Sequence, residues 1–176
     1  MGRLEYDNGY YEGEILDGKR HGKGKYVWKD GDWFEGEWRN GVRCGYGVYH
    51  HHEGNSYEGE WRDDKRHGKG KQTYKWGYYD GEWTDGVWGG HGLEMHEDGS
   101  SLEGDWTDNH NATDVISTYK GTKSHGKVVN GSFQADPLNG HARRAGIKKK
   151  ITFHCLRHSH LSLSLIANDL QNLNLR

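Results

Sequence analysis

Along residues 1–110 apolar and polar positions alternate at period two, the signature of strands with two unlike faces. In Tyr57-Glu58-Gly59-Glu60-Trp61 the aromatic ends and the central glycine share one face, and both carboxylates take the other. The polar stretch Arg62-Asp63-Asp64-Lys65-Arg66 predicts a turn of the chain. Gly68 and Gly70 open a return strand that carries Tyr74. Trp76-Gly77, or Asp30-Gly31 and Asp98-Gly99 elsewhere, supplies a positive-φ turn into the next unit. The unit is therefore a β-hairpin. The central glycine leaves room for a neighbouring ring to lie against the backbone.

The pattern repeats. Tyr11-Glu12-Gly13-Glu14-Ile15 returns as Phe34-Glu35-Gly36-Glu37-Trp38 and Tyr57-Glu58-Gly59-Glu60-Trp61. It returns again as Tyr79-Asp80-Gly81-Glu82-Trp83 and Leu102-Glu103-Gly104-Asp105-Trp106, with starts 23, 23, 22 and 23 residues apart. Ten residues after each of the first four starts comes His21-Gly22-Lys23-Gly24, Cys44-Gly45-Tyr46-Gly47, His67-Gly68-Lys69-Gly70 or Gly89-Gly90-His91-Gly92. Turn glycines follow at Gly31, Gly54, Gly77 and Gly99. One hairpin is not stable alone, so the units must stack into one extended antiparallel sheet.

Tyr-Glu-Gly-Glu-Trp, then Gly-Lys-Arg-His-Gly-Lys-Gly, then Asp-Gly resembles the MORN repeat (membrane occupation and recognition nexus) over residues 4–110. Ile15, Leu102, Cys44 and Gly89 depart from the pattern, as does a one-residue deletion near Tyr78. The resemblance implies an all-β, elongated, twisted single-layer antiparallel sheet of stacked hairpins. It also implies scaffold, dimerisation or membrane-proximal roles, with no catalysis by the repeats.

Composition adds two regimes. Residues 1–119 hold 14 Lys+Arg and 24 Asp+Glu, a balance of -10, whereas residues 120–176 hold 10 and 2, a balance of +8. All eight Trp lie between Trp28 and Trp106, and Leu concentrates after residue 120. The expected organisation is a repeat array over 1–110, a degenerate repeat or cap with a loop over 111–140, and a basic tail over 141–176. Leucines at three- and four-residue steps favour an amphipathic helix in that tail, with a strand left open by Leu161, Leu163 and Leu165 alternating with serine. No apolar run is long enough to cross a membrane as a helix, and Met1 to Tyr10 has no apolar core of a signal peptide. Two cysteines make no disulfide framework, so a cytoplasmic location is the expectation, with a position peripheral to a membrane left open.

The aromatic rows Tyr11, Phe34, Tyr57 and Tyr79, and Trp38, Trp61, Trp83 and Trp106, are read first as packing core. A single sheet layer leaves one face uncovered, so some rings should stay exposed as a groove for a peptide or helix of a protein partner. The paired carboxylates Glu12/Glu14, Glu35/Glu37, Glu58/Glu60 and Asp80/Glu82 are too alike to divide acid and base roles. Solvated pairing with Lys23, Lys25, Lys69 and Lys71 is expected instead. Basic spots at Lys19-Arg20-His21 and Lys65-Arg66-His67, read as loops, offer contact to acidic phospholipid, as do Arg143, Arg144, Lys148, Lys149 and Lys150. The run His50-His51-His52 is not expected to bind metal, because strand neighbours alternate faces. No cofactor is expected, and homo-oligomerisation is left open.

Ala145 to Ser159, with His154-Cys155-Leu156-Arg157-His158, is similar to the His-x-Leu-Arg-His box of tyrosine recombinases. The nucleophilic tyrosine of that family has no counterpart after the box, so recombination is not expected. The remaining options for the tail are charge-driven contact with nucleic acid or acidic phospholipid. The reading is a non-enzymatic scaffold or protein-binding module. The alternatives are a phospholipid-binding module and a non-catalytic, DNA-contacting recombinase-derived fragment.

Overall fold

The computed structural model describes residues 1–137 and the short strand at 152–154. The amphipathic-helix expectation for the tail, and Arg143, Arg144, Lys148, Lys149, Lys150, Cys155, Arg157 and His158, lie outside the described residues.

One antiparallel sheet is formed in simple chain order. Its first strands are β1 (Gly2–Tyr6), β2 (Gly9–Leu16), β3 (Lys19–Trp28), β4 (Trp33–Arg39) and β5 (Val42–His50). The array continues as β6 (Ser56–Arg62), β7 (Lys65–Tyr74), β8 (Gly77–Thr84), β9 (Val87–His96) and β10 (Ser101–Asp108). It then runs past residue 110 through β11 (Asn111–Tyr119), β12 (Thr122–Val129) and β13 (Ser132–Ala135), and β14 (Thr152–His154) pairs with β13. Every strand pairs only with its chain neighbours, so the hairpin pattern alone determines the topology.

The register aligns one glycine per strand. Gly2, Gly13, Gly24, Gly36, Gly47, Gly59, Gly70, Gly81, Gly92 and Gly104 oppose one another in succession from β1 to β10. Directly opposed residues share a face, so this row would carry its β-carbons into the aromatic face. That space is already filled. A β-carbon on Gly70 would meet the Tyr57 ring, and one on Gly47 the Phe34 ring. The rings are the core, because among the described residues this sheet has no second layer to supply one.

Turns within the hairpins are tighter than the sequence suggests. Asp63 and Asp64, at φ 49° and 65°, make a two-residue turn between β6 and β7. Such turns match the right-handed twist of the flanking strands. Lys19, Arg20, Lys65 and Arg66 consequently belong to β3 and β7 and are not loop residues. At the far end the aromatic pattern gives out. Register shifts interrupt the pairing of β10 with β11, and Val115, Ala112 and Val128 replace the rings in the core, with Phe133 the one aromatic among them.

Gly59→Val tests the packing. A β-carbon at Gly59 lies 2.6 Å from the Lys69 carbonyl oxygen and 2.7 Å from the Tyr57 hydroxyl. Backbone cannot move aside cheaply, so a loss of about 1–3 kcal/mol is expected by urea denaturation. An unchanged midpoint would show that this face has room to spare.

Candidate functional site

The aromatic face is built by edge-to-face contacts in an unbroken zigzag. Tyr11 meets Trp38, Trp38 meets Phe34, Phe34 meets Trp61, and Trp61 meets Tyr57. Tyr57 then meets Trp83, Trp83 meets Tyr79, and Tyr79 meets Trp106, with centroids 5.1–6.0 Å apart along the whole series. Trp38, Trp61 and Trp83 thus each touch the ring of their own unit and that of the unit before, while Trp106, whose own unit carries Leu102, touches Tyr79 of the unit before. The polar ends are satisfied by backbone. The indole nitrogens of Trp38, Trp61, Trp83 and Trp106 donate to the carbonyls of Gly24, Gly47, Gly70 and Gly92. The hydroxyls of Tyr11, Tyr57 and Tyr79 donate to the carbonyls of Glu14, Glu60 and Glu82. Burial pushes all three phenols up.

All eight rings read as groove candidates are buried, at 0–7% exposure. They shield one another sideways, which a flat single-layer argument overlooks. Beside these rings lies a second rank, where Trp28, Tyr49, Tyr74 and Trp76 are half-buried against the core, and Tyr6 and Tyr46 are exposed.

Three arginines lie over this face at equivalent places in successive units. Arg20 sits 4.4 Å above the Trp38 ring, Arg43 4.5 Å above Trp61, and Arg66 4.5 Å above Trp83. Each also reaches the next hairpin turn. Arg20 donates to the Gly41 carbonyl, Arg43 to the Asp64 carbonyl and Arg66 to the Gly86 carbonyl. Arg20 and Arg66 are therefore half-buried parts of the packing, whereas Lys19 and Lys65 are exposed. Between the units a concavity of about 420 Å³ opens, lined by Tyr49, Tyr57, Trp61, Lys65, Arg66 and Gln72, among others.

On the opposite face the second glutamate of each unit has a structural task. Gly22, Gly45 and Gly68 adopt positive φ at bulges in the return strands. The amides of Lys23, Tyr46 and Lys69 then donate to Glu14, Glu37 and Glu60. Of the lysines expected to pair with the carboxylates, Lys25 does so with Glu35, and Lys25 and Lys71 also lie over rings. Lys71 lies 3.8 Å over Tyr78, and Lys25, which also bridges Glu35 at 3.3 Å, lies 4.2 Å over Trp33.

His51 and His52 do converge, because β5 ends at His50 and both fall in the following turn, where strand alternation no longer applies. Asp32, His51 and His52 bring donor atoms within 4.8 Å of one another. Asp32 is buried. It accepts from the Tyr49 hydroxyl, from the His52 amide at 2.9 Å, and faces His52 Nδ1 at 2.7 Å. His51 Nδ1 accepts from the Glu53 amide, which leaves the ring proton on Nε2 toward Asp32. The bonds from Tyr49 and His52 to Asp32 make this a hydrogen-bonded clasp between two turns. Burial pushes the Asp32 carboxyl up, but the bonds from Tyr49 and His52 outweigh it and bring the pKa to about 2. The bond to Asp32 raises His52. Sequence reasoning missed Asp32, although Asn55, Gly77 and Ser100 stand at its place in the other units.

Glycine-rowed hairpins with a shared ring core define a stacked β-hairpin repeat protein. A family model described as the MORN repeat matches residues 11–33, 34–56, 57–77 and 79–101, about half of the chain. The chain belongs to the MORN-repeat family. Repeats of this kind generally serve as non-catalytic scaffolds for protein or membrane interaction. No curated protein matches the chain. The matched residues end at 101, well ahead of the His154-Cys155-Leu156-Arg157-His158 box.

The clasp predicts a pH window. A depressed Asp32 stabilises above its ordinary value of 3.8, and that stability is lost as pH falls toward 2. A raised His52 stabilises below its ordinary value of 6.5, and that part is lost as pH rises beyond it. The urea midpoint of Asp32→Asn should fall furthest below that of the parent chain between those two limits. A pH-independent gap would mean that the carboxylate's charge contributes nothing there.

Proposed function

We propose that this chain is a non-enzymatic scaffold of the cytoplasm that binds another protein across the aromatic face of its repeats. The observation that carries the reading is the concavity between units, where half-buried Tyr49 stands beside the buried Tyr57 and Trp61 on a sheet with no second layer among the described residues. Apolar surface of that kind is what a protein partner covers. The eight core rings contribute indirectly, by holding that concavity rigid. The carboxylate pairs support the non-enzymatic half of the reading, since Glu14, Glu37 and Glu60 are bound to backbone amides. Homo-oligomerisation would use the same exposed face.

A second reading is a phospholipid-binding module beside a membrane, resting on Lys19, Lys65 and the cations of the tail. The body's balance of -10 opposes it, and the hairpin tips nearest Lys19 and Lys65 carry Asp17, Asp63, Asp64 and Asp85. The tail's charge supports contact with either acidic phospholipid or DNA, a role that a non-catalytic recombinase-derived fragment would share.

Two assays on the full chain separate these readings. Capture of a protein partner should survive high salt, because apolar burial is not screened. Co-sedimentation with phosphatidylserine vesicles should be weak at high salt. It should fall further when Arg143, Arg144, Lys148, Lys149 and Lys150 are all changed to Gln. Tight vesicle binding that ignores those five changes, with no protein retained, would replace the scaffold reading.

A further inference from the structure

Two of the three arginines over the aromatic face lack a counter-charge. Arg43 has one, since its Nε donates to Asp64 Oδ1 at 2.9 Å. The bonds of Arg66 go to neutral oxygens, Gln72 Oε1 at 2.8 Å and the Gly86 carbonyl at 3.1 Å. Arg20 bonds the Gly41 carbonyl, and its Nε is buried without a hydrogen-bond partner among the described residues. Neither takes part in an ion pair among the described residues. A guanidinium carries five donors in a planar fork suited to a carboxylate, so both are under-used. Burial pulls the Arg66 pKa down with no carboxylate to offset it. A desolvated cation of this kind gains most from an anion that arrives with apolar surface around it.

We infer that the aromatic face receives an extended acidic segment of a partner protein, with one carboxylate on Arg66, a second on Arg20, and apolar side chains between them against the half-buried Tyr49. This rests on the scaffold reading and names the chemistry of the partner. The spacing supports it. Arg20 on β3 and Arg66 on β7 are four strands apart, roughly 19 Å at about 4.8 Å per strand. In an extended segment residues i and i+6 point the same way and stand about 20 Å apart, and i+2 and i+4 share their face. The segment therefore reads acid–x–apolar–x–apolar–x–acid. Lys65 stands exposed at the rim of the same concavity and adds a third cation. An anionic membrane fits less well. A bilayer laid across the face would meet Asp17, Asp63 and Asp85 at the hairpin tips, whereas Asp64, which lines the concavity itself, is already paired with Arg43.

The test uses the full chain and three fluorescent nonapeptides: one with Glu at both ends of the seven-residue motif and Leu at its two apolar places, one with Gln for both Glu, and one with the two Glu three residues apart. The first peptide should bind at least tenfold tighter than either of the others. Lys65→Gln, at an exposed site, should weaken it several-fold with an unchanged melting temperature. Arg66→Lys should weaken it more, since an ammonium cannot fork, and its melting temperature reports whether the fold survives. Equal binding of the Glu and Gln peptides overturns the inference. So does binding of phosphatidylserine vesicles that depends on Arg66 while the peptides do not bind, an outcome that gives the site to a membrane. If a protein partner is captured in high salt but the Glu peptide neither binds nor competes with it, the scaffold reading stands and the acidic segment is wrong.

Discussion

The structure depends on a close approach: an aromatic ring laid flat against glycine backbone in each unit. A single sheet has no opposing layer, so the apolar surface needed for folding must be buried within one face. Tyr11, Phe34, Tyr57 and Tyr79 do this by folding down over the cross-strand glycine pairs, where any β-carbon would occupy their place. Edge-to-face pairs contribute about 0.5–1.5 kcal/mol each beyond the area they bury, and the zigzag from Tyr11 to Trp106 strings seven together. Because each tryptophan belongs to two units, the hairpins are coupled to their neighbours and to nothing further along, as in other one-dimensional arrays.

Laying the rings down also settles the polar groups. A bulge at Gly22, Gly45 or Gly68 frees amides and carbonyls that a regular ladder would pair. The carbonyls on the ring side accept from tyrosine, and the amides on the other side donate to the second glutamate. One five-residue motif thereby serves both faces. The arginine that follows closes the ring face from above and ties each unit to the next turn. Its charge is then held in a half-buried place, and that is where the face gains its chemistry.

Much of this was legible in the sequence. Period-two alternation and a 22–23-residue recurrence determine strands, hairpins, stacking order and the glycine's purpose. The lateral burial of the rings was not, since it depends on rings of adjacent units meeting edge to face. Neither was the place of Arg20 and Arg66, because a run such as Arg62-Asp63-Asp64-Lys65-Arg66 reads as a five-residue turn until Asp63 and Asp64 alone take positive φ. Alternation also misjudged His51 and His52, since the strand stops one residue earlier. Their cluster with Asp32 is marked in the sequence only by departure from the repeat.

The central claim is that ring and glycine occupy one site, and a double-mutant cycle on Tyr57 and Gly70 tests it most directly. The nearest atoms to a β-carbon on Gly70 all belong to the Tyr57 ring. Gly70→Ala should therefore cost much in the parent chain and little once Tyr57→Ala has removed the ring. That predicts a coupling above about 1 kcal/mol in urea denaturation, within the range for contacting residues. Additive effects of the two substitutions would contradict the account.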